Sequence, residues 1–452
     1  MQQKKQIPIL CCLSLFPLQQ LAAETENTGR HPNIILIYCD DLGYGDLGVT
    51  GHPNIQTPNL DRMALNGTRF SNYYSASPAS TASRYAMMTG KYPPRSGFEW
   101  VLGPKSERGI HPDEITQAEA LKSKGYKTAM YGKWHLGTTK REYLPLQNGF
   151  DEYVGFPYSN DMIPPKWQDI ALLNGNDTLE MNPDQSKLTE LYTQKAISFI
   201  KKNKKEKFFV YLPYAMPHVP LHPGPRFAGK SKRGAYGDVV EEIDWYVGEI
   251  LATLKKEKLE KNTIVWFISD NGPWIIMKEE GGSAGLFCDG KGSTWEGGVR
   301  VPCIAYCPGQ IAPQVNDELV TAMDVYATNL WLGGYRLPEN HVTDGKNIAS
   351  YLGYADAKEK EDTPYFYFGQ GHRLYAVREG KWKLHVKTFS QTGADYFKGK
   401  LSLLFDLERD PSEKYDLSEQ NPEIVVHLQQ LLRSKDKEIK ETGNFFDKKQ
   451  NK

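Results

Sequence analysis

The sequence has no excess of either charge, since 55 basic residues balance 55 acidic ones over 452 residues. Proteins that bind nucleic acid through its phosphates normally have a basic excess, so we expect no nucleic-acid partner. Cysteine is scarce, and its six residues are too few to form a disulfide framework in so long a chain. No apolar run is long enough for a membrane span, and internal repeats are missing too.

The N-terminal segment has the pattern of a signal peptide. Lys4 and Lys5 form a positive start, residues 7–21 are mostly apolar, and Ala22 and Ala23 precede polar residues. We therefore predict a signal peptide over residues 1–23 and an exported mature chain.

Patterns of buried strands alternate with helical patterns in the first three quarters of the chain. Asn33–Cys39 is a continuous apolar run rich in β-branched residues, and similar runs recur at residues 128–131, 208–212 and 263–268. Such runs are typical of strands that are buried on both faces of a parallel sheet. The sequence predicts an α/β domain over residues 24–340, with a large, mainly parallel mixed sheet flanked by helices.

The pattern changes after about residue 340. Short strand candidates at Tyr365–Phe368, 374–377 and 381–386 are joined by turns. A helical pattern follows, with Leu428 and Leu432 on its apolar face. We predict a small C-terminal α+β subdomain over residues 341–452, made of an antiparallel sheet and one helix.

Reactive side chains follow each of the four strand candidates of the main domain. They are Asp40 and Asp41, then Lys133 and His135, then His218, then Asp270 and Asn271. In open α/β sheets, functional groups collect where strands end, because the loops there open into a crevice. The first and last pairs offer only oxygen ligands, which suit Ca²⁺ or Mg²⁺ and disfavour zinc. Taken alone, an Asp after a strand often only caps a turn, and a lone His is more often a structural residue than a functional one.

One segment carries a recognisable signature. Ser80-Thr81-Ala82-Ser83-Arg84, followed by a Thr-Gly-Lys-Tyr-Pro tail at residues 89–93, resembles the signature of the formylglycine-dependent type I sulfatases. Further similarities are TPNLD at 57–61, GKWHLG at 132–137, SDNG at 269–272 and GKGSTWEGGVRVP at 290–302. The chain is similar in particular to the arylsulfatase A-like bacterial carbohydrate sulfatases of the alkaline phosphatase superfamily.

The resemblance implies a modified residue and a metal ion. Ser80 is expected to be oxidised to formylglycine, whose hydrate is the nucleophile. Ser at position 80 and Ala82 replace the commoner Cys and Pro, which implies a maturation enzyme of the anaerobic type as partner. One divalent cation, usually Ca²⁺ and alternatively Mg²⁺, is expected on five ligands: Asp40, Asp41, Ser80, Asp270 and Asn271.

The other matching residues are expected to surround the nucleophile and the sulfate group. The resemblance implies that Arg84 and His135 hold the hydrate and that His218 faces the leaving oxygen. Lys133, Lys291 and Ser159 are expected to bind the substrate. With the signal peptide, the Ser-type motif suggests a periplasmic or secreted enzyme of a Gram-negative bacterium.

The resemblance thus implies a sulfuric ester hydrolase that removes sulfate from carbohydrates, exo-acting on galactose- or hexosamine-type glycans. His372 and Arg373, on a glycine-flanked loop, are expected to contact the sugar. One alternative is a phosphate or phosphonate monoester hydrolase, although such enzymes commonly need more Asp and His ligands for two metals. The other alternative is a non-catalytic binder of sulfated glycans, which would not need His135 and His218 for proton transfer.

Overall fold

A ten-stranded mixed sheet forms the centre of the fold. The structure is a computed structural model that describes residues 31–98, 100–358 and 360–447, so the predicted signal peptide lies outside the described residues. The strands are β1 Asn33–Cys39, β2 Thr68–Phe70, β3 Tyr73–Tyr74, β4 Lys127–Tyr131, β5 Glu152–Gly155, β6 Ala171–Asn174, β7 Asp177–Met181, β8 Phe208–Pro213, β9 Thr263–Ser269, β10 Cys303–Tyr306, β11 Gln314–Asn316, β12 Val320–Thr321, β13 Tyr365–Phe368, β14 Leu374–Glu379, β15 Trp382–His385 and β16 Leu403–Asp406. The helices are α1 Pro58–Leu65, α2 Ser80–Thr89, α3 Gln117–Ser123, α4 Leu188–Lys202, α5 Ala235–Lys256, α6 Glu296–Val299, α7 Ala322–Leu332 and α8 Pro422–Thr442.

The centre of the main sheet is parallel and its two sides are mixed. The strand order is β11-β2-β10-β9-β1-β8-β4-β5-β6-β7. Strands β9, β1, β8, β4 and β5 run parallel, whereas β10, β6 and β7 pair antiparallel with their neighbours. The predicted large mixed sheet with a parallel core is confirmed.

Strand β1 shows why the central strands are apolar throughout. Ile35 and Ile37 pack in a core with helices α1, α4 and α5, whereas Ile34 and Leu36 pack in a second core with α2, α3 and α7. All seven residues of the strand are buried. Helices on both faces of the sheet therefore leave its carboxyl edge as the place where polar side chains collect.

The C-terminal part forms the predicted small antiparallel sheet and one long helix. Its strand order is β13-β14-β15-β16, and α8 packs on β14. A shared apolar core joins this sheet to the main domain, with Tyr74 and Met323 packed against Leu384 and Leu428. The exact domain boundary at 340/341 stays a prediction. Within the described residues, no helix is both long and apolar enough to cross a bilayer.

Candidate active site

Two neighbouring strands deliver the acidic residues to one place. Because β1 pairs in parallel with β9 along its whole length, the segments Asp40-Asp41 and Asp270-Asn271 leave the same sheet edge side by side. All four residues are buried. The backbone N–H of Asp41 donates to Asp270 Oδ1 at 3.1 Å, and Asn271 Nδ2 donates to Asp41 Oδ1 at 2.7 Å.

Ser80 reaches this cluster as the first residue of helix α2. Its Oγ donates to Asp40 Oδ1 at 2.9 Å and lies 3.4 Å from Asn271 Oδ1. Arg84 lies one turn further along the same helix face, and its Nη2 donates to Asp270 Oδ2 at 2.9 Å. Ser80 is also at the positive end of the helix dipole, which favours negative charge at this position.

Two lysines neutralise the carboxylates from the outside. Lys133, just after β4, pairs with Asp40 and donates to Ser159 Oγ at 3.0 Å. Lys291 donates to Asp41 Oδ2 at 2.8 Å. These contacts bring the predicted substrate-binding residues Lys133, Lys291 and Ser159 together with the predicted metal ligands.

Both histidines lie at the same cluster. His135 Nε2 is 2.8 Å from the carbonyl oxygen of Leu102, and His218 Nε2 is 3.6 Å from Asp41 Oδ2. A carbonyl oxygen only accepts, so the proton of the neutral His135 ring is on Nε2 and its Nδ1 is the acceptor. Burial, reinforced by Lys133, holds the pKa of His135 well below its usual range. Burial and the charge of Lys291 likewise lower the pKa of His218.

The electrostatics of the carboxylates fit one hard divalent cation. Burial opposes the charge of Asp40, but Lys133 and other nearby cations outweigh it and hold the pKa of Asp40 well below its usual range. Burial and the charge of Asp40 raise the pKa of Asp270 to about 7. Three buried carboxylates at one point thus repel one another strongly enough to hold back ionisation of one of them. Carboxylate, amide and hydroxyl oxygens are the donors that Ca²⁺ and Mg²⁺ prefer.

The sequence did not predict His218 as a metal ligand, but the structure places it close enough to two of the predicted ligands to be one. Asp40, Asp41 and His218 each offer an atom within 4.8 Å of the others. A histidine that follows β8 in the sequence could be a metal ligand or a proton donor. Both roles place its imidazole at the carboxyl edge of the sheet.

The predicted sugar contacts His372 and Arg373 lie on the loop between β13 and β14. His372 Nε2 is 3.1 Å from the carbonyl oxygen of Phe98, and its ring centroid is 5.7 Å from that of Trp100. Arg373 lines a cavity between the small sheet and α8, together with Arg433. Their contact with a sugar stays a prediction.

Trp274 and Gln391 lie near the site but were not predicted from the sequence. The Trp274 ring lies 4.2 Å from Lys291 Nζ, and its centroid is 5.3 Å from that of His218. Trp274 Nε1 donates to Gln391 Oε1 at 2.6 Å, and Gln391 belongs to the loop between β15 and β16. Trp274 follows the SDNG motif closely enough to have been considered, whereas nothing in the local sequence marks Gln391.

We expect Gln391→Ala to lower kcat/KM for a sulfate ester by up to about tenfold, mainly through KM, because one neutral hydrogen bond is worth about 0.5–1.5 kcal/mol. The freed Trp274 would no longer hold Lys291 over the site. Steady-state kinetics measure the effect, with the exposed Gln420→Ala as control. Gln391→Glu keeps an acceptor for the indole and should retain most activity. Equal losses in Gln391→Ala, Gln391→Glu and Gln420→Ala would contradict the role of Gln391 in holding Trp274.

Buried carboxylates, cations and histidines at the carboxyl edge of a parallel sheet are the arrangement expected of a metal-dependent hydrolase of anionic esters. The chain matches the family described as Sulfatase over residues 32–335 and the C-terminal region of aryl-sulfatase over residues 360–452. The protein therefore belongs to the sulfatase family and is a sulfuric ester hydrolase. Family membership implies a formylglycine and a divalent cation.

Relatives agree with this assignment over almost the whole chain. N-acetylgalactosamine-6-sulfatase of Mus musculus is 37% identical over 449 residues, which cover 89% of this chain and 85% of that protein. Arylsulfatase A of Homo sapiens is 37% identical over 443 residues, with 89% and 87% covered. A solved structure from Bacteroides thetaiotaomicron, described for the metabolism of multiple glycosaminoglycans, has a TM-score of 0.79 at 29% identity and covers 90% of this chain and 99% of that chain. The predicted family is confirmed, and sulfatase activity is favoured over both alternatives.

Proposed function

We propose that this enzyme removes sulfate from the end of a glycan, at a galactose- or hexosamine-type sugar, with formylglycine made from Ser80 and one Ca²⁺ or Mg²⁺ ion. Support for the sugar class comes from the relative that acts on N-acetylgalactosamine 6-sulfate and from the neighbour in glycosaminoglycan metabolism. The observation that carries the proposal is the convergence of Ser80 Oγ on the oxygens of Asp40 and Asn271.

The charge of the site suits a sulfate monoester. Arg84, Lys133 and Lys291 balance the three carboxylates of Asp40, Asp41 and Asp270, so a bound divalent cation leaves the pocket with two positive charges. A sulfate monoester carries one negative charge, and charge grows on its leaving oxygen as the S–O bond breaks. A buried, prearranged set of cations stabilises that charge better than water does.

The residues of the site have different roles in the proposed reaction. Asp40, Asp41, Asp270 and Asn271 would hold the cation, which together with formylglycine at position 80 would supply an activated hydroxyl nucleophile and would offset the charge of the ester. Lys133 and Lys291 bind sulfate oxygens, and Ser159 orients Lys133 through their hydrogen bond. Arg84 holds the groups at position 80, and His135 accepts a proton at Nδ1. His218 faces the leaving oxygen and gives it a proton, because the negative charge of the bound ester offsets the burial and the charge of Lys291 that lower the pKa of His218.

His218→Ala tests the proposed reaction on carbohydrates. We expect activity on a sulfated sugar to fall by about 10²–10⁴-fold, because general acid catalysis is worth that much for an alkoxide leaving group. Activity on nitrophenyl sulfate should fall far less, since a nitrophenolate leaves without a proton. Kinetics on both substrates measure the ratio, with the exposed His427→Ala as matched control.

Equal losses on both substrates would assign the proton donor elsewhere. Lys291 would be the next candidate, because Asp41 and Asp40 outweigh its burial and raise its pKa. A wild-type enzyme that cleaved aryl sulfates and no sulfated sugar would contradict the proposed substrate class.

The cellular setting is part of the proposal. The signal-peptide pattern with Lys4 and Lys5 supports export to the periplasm or secretion, and the Ser-type motif supports a Gram-negative bacterium. Ser at position 80 and Ala82 support maturation by an enzyme of the anaerobic type.

A further inference from the structure

A groove with a volume of about 680 Å³ opens beside the catalytic cluster. We call it the mouth groove, and its walls are formed by residues 97–98, 101–103 and 105–108 and by Trp167. Sites for small organic ligands have volumes of about 300–1,000 Å³, so the groove has room for a sugar ring.

The first wall is attached to the catalytic centre at Leu102. The carbonyl oxygen of Leu102 accepts from His135 Nε2 at 2.8 Å. Its backbone N–H donates to Thr81 Oγ1 at 3.2 Å, and Thr81 is the neighbour of Ser80 in helix α2. This wall therefore begins at the residues that hold the nucleophile.

The second wall is attached to the catalytic centre at Ser159. Ser159 Oγ accepts from Lys133 Nζ at 3.0 Å, and its carbonyl oxygen accepts from the backbone N–H of Met162. The chain then turns through Ile163, whose carbonyl oxygen accepts from the backbone N–H of Trp167 at 3.1 Å. Both walls are thus connected by hydrogen bonds to residues of the catalytic cluster, so the groove lies next to the active site.

The lining combines an aromatic ring with positive charge. Trp167 is half-buried and lies across Gly103, where a Cβ atom would be only 3.3 Å from the indole. Lys166 Nζ is 5.5 Å from the centroid of the same ring, and Lys105 is exposed in the groove. Arg108 also lines it, but its guanidinium is paired with Asp447 at 3.1 Å. Glu107 is the one acidic side chain among the described residues of the lining.

We propose that the mouth groove is a subsite for the sugar ring next to the sulfated one in an anionic oligosaccharide. This inference rests on the proposed function and adds the neighbouring ring to the substrate. The ring packs its C–H face on Trp167, and its sulfate or carboxylate group pairs with Lys105. An oligosaccharide is therefore a better substrate than the matching monosaccharide.

Trp167→Ala tests the subsite with two substrates that share one terminal sulfated sugar, a monosaccharide and a trisaccharide. We expect kcat/KM for the trisaccharide to fall about tenfold, because contact with one aromatic ring is worth about 0.5–1.5 kcal/mol beyond burial of area. The monosaccharide and nitrophenyl sulfate should be unaffected. Lys105→Ala should lower kcat/KM for the trisaccharide about threefold, and this loss should be smaller in added salt.

Controls separate the subsite from a structural role. Trp245→Ala removes a tryptophan of α5 that is partly exposed and stacks on Arg226, and it should change kcat/KM for neither sugar. Trp167→Phe keeps an aromatic ring and should keep most of the trisaccharide activity even if the alanine variant folds poorly.

Two results would overturn the subsite. One is an equal loss on both sugars in Trp167→Phe and Lys105→Ala, and the other is a wild-type enzyme with no preference for the trisaccharide. A wild type that hydrolyses nitrophenyl sulfate but neither sugar would overturn the proposed substrate class, and the subsite with it.

Discussion

Ser80→Ala should lower kcat/KM for any sulfate ester by at least about 10⁴-fold, comparable to the loss of a nucleophile in other hydrolases. Alanine has no oxygen at Cβ, so no maturation enzyme can make an aldehyde there. A plain serine hydroxyl would not substitute for the modified residue, because it is a poor nucleophile at neutral pH. Ser80 begins α2 and is only 4% exposed, so the smaller alanine fits the helix.

The measurement joins kinetics with the mass of the peptide that contains residue 80. In active protein this peptide should be lighter by two hydrogen atoms and should react with carbonyl reagents. Ser83→Ala is the matched control, because Ser83 is buried in the same helix but its Oγ donates to the carbonyl oxygen of Ser77. Full activity of a preparation with unmodified Ser80 would contradict the mechanism. The alanine variant should keep its unfolding temperature and bind substrate without turnover.

Removal of the metal ion should have the second largest effect. We expect a chelator to abolish activity, Ca²⁺ to restore it, and Mg²⁺ to restore it less well. Burial and the charge of Asp40 raise the pKa of Asp270 to about 7, and a bound cation would favour the ionised form of this carboxyl. A ligand that binds only the folded state at 100 times its Kd adds about 2.7 kcal/mol to the free energy of unfolding. The chelated protein should therefore unfold at a lower temperature.

Asp41→Asn separates loss of the ion from a side effect of the chelator. This variant keeps the size of the side chain and removes one charge that faces Lys291 and His218. We expect it to be inactive and to gain little stability from added Ca²⁺. Asp177→Asn, on the exposed strand β7, is the control and should behave as wild type. Metal analysis that found two zinc ions per chain would instead favour a phosphatase-like site.

Sequence patterns predicted the central strands within one or two residues. β1 has the predicted bounds, and β8 and β9 each end one residue later than expected. These strands are buried on both faces, so their own residues carry the signal as continuous apolar runs. The reactive residues at the strand ends could be predicted as well, because an apolar run that stops at Asp40-Asp41 marks the carboxyl edge of the sheet.

The outer strands could not be predicted in this way. All five residues of β7 are exposed, and β11 has no buried residue either. Such segments carry no apolar period, and they become strands because a neighbouring strand offers its free N–H and C=O groups. β16 was missed for a related reason, since its three apolar residues are too short a run and pair with β15 only in the folded chain.

The sequence by itself determined the kinds of group in the site: oxygen ligands, two lysines, two histidines and a serine in a sulfatase-like motif. Only the tertiary structure decided that Asp41 and Asn271, 230 residues apart, are hydrogen-bonded, because parallel pairing of β1 and β9 brings their ends together. It also decided that Gln391 holds Trp274. Local patterns record burial and propensity, whereas contacts between distant loops depend on how the two cores pack, and no short window of sequence contains that information.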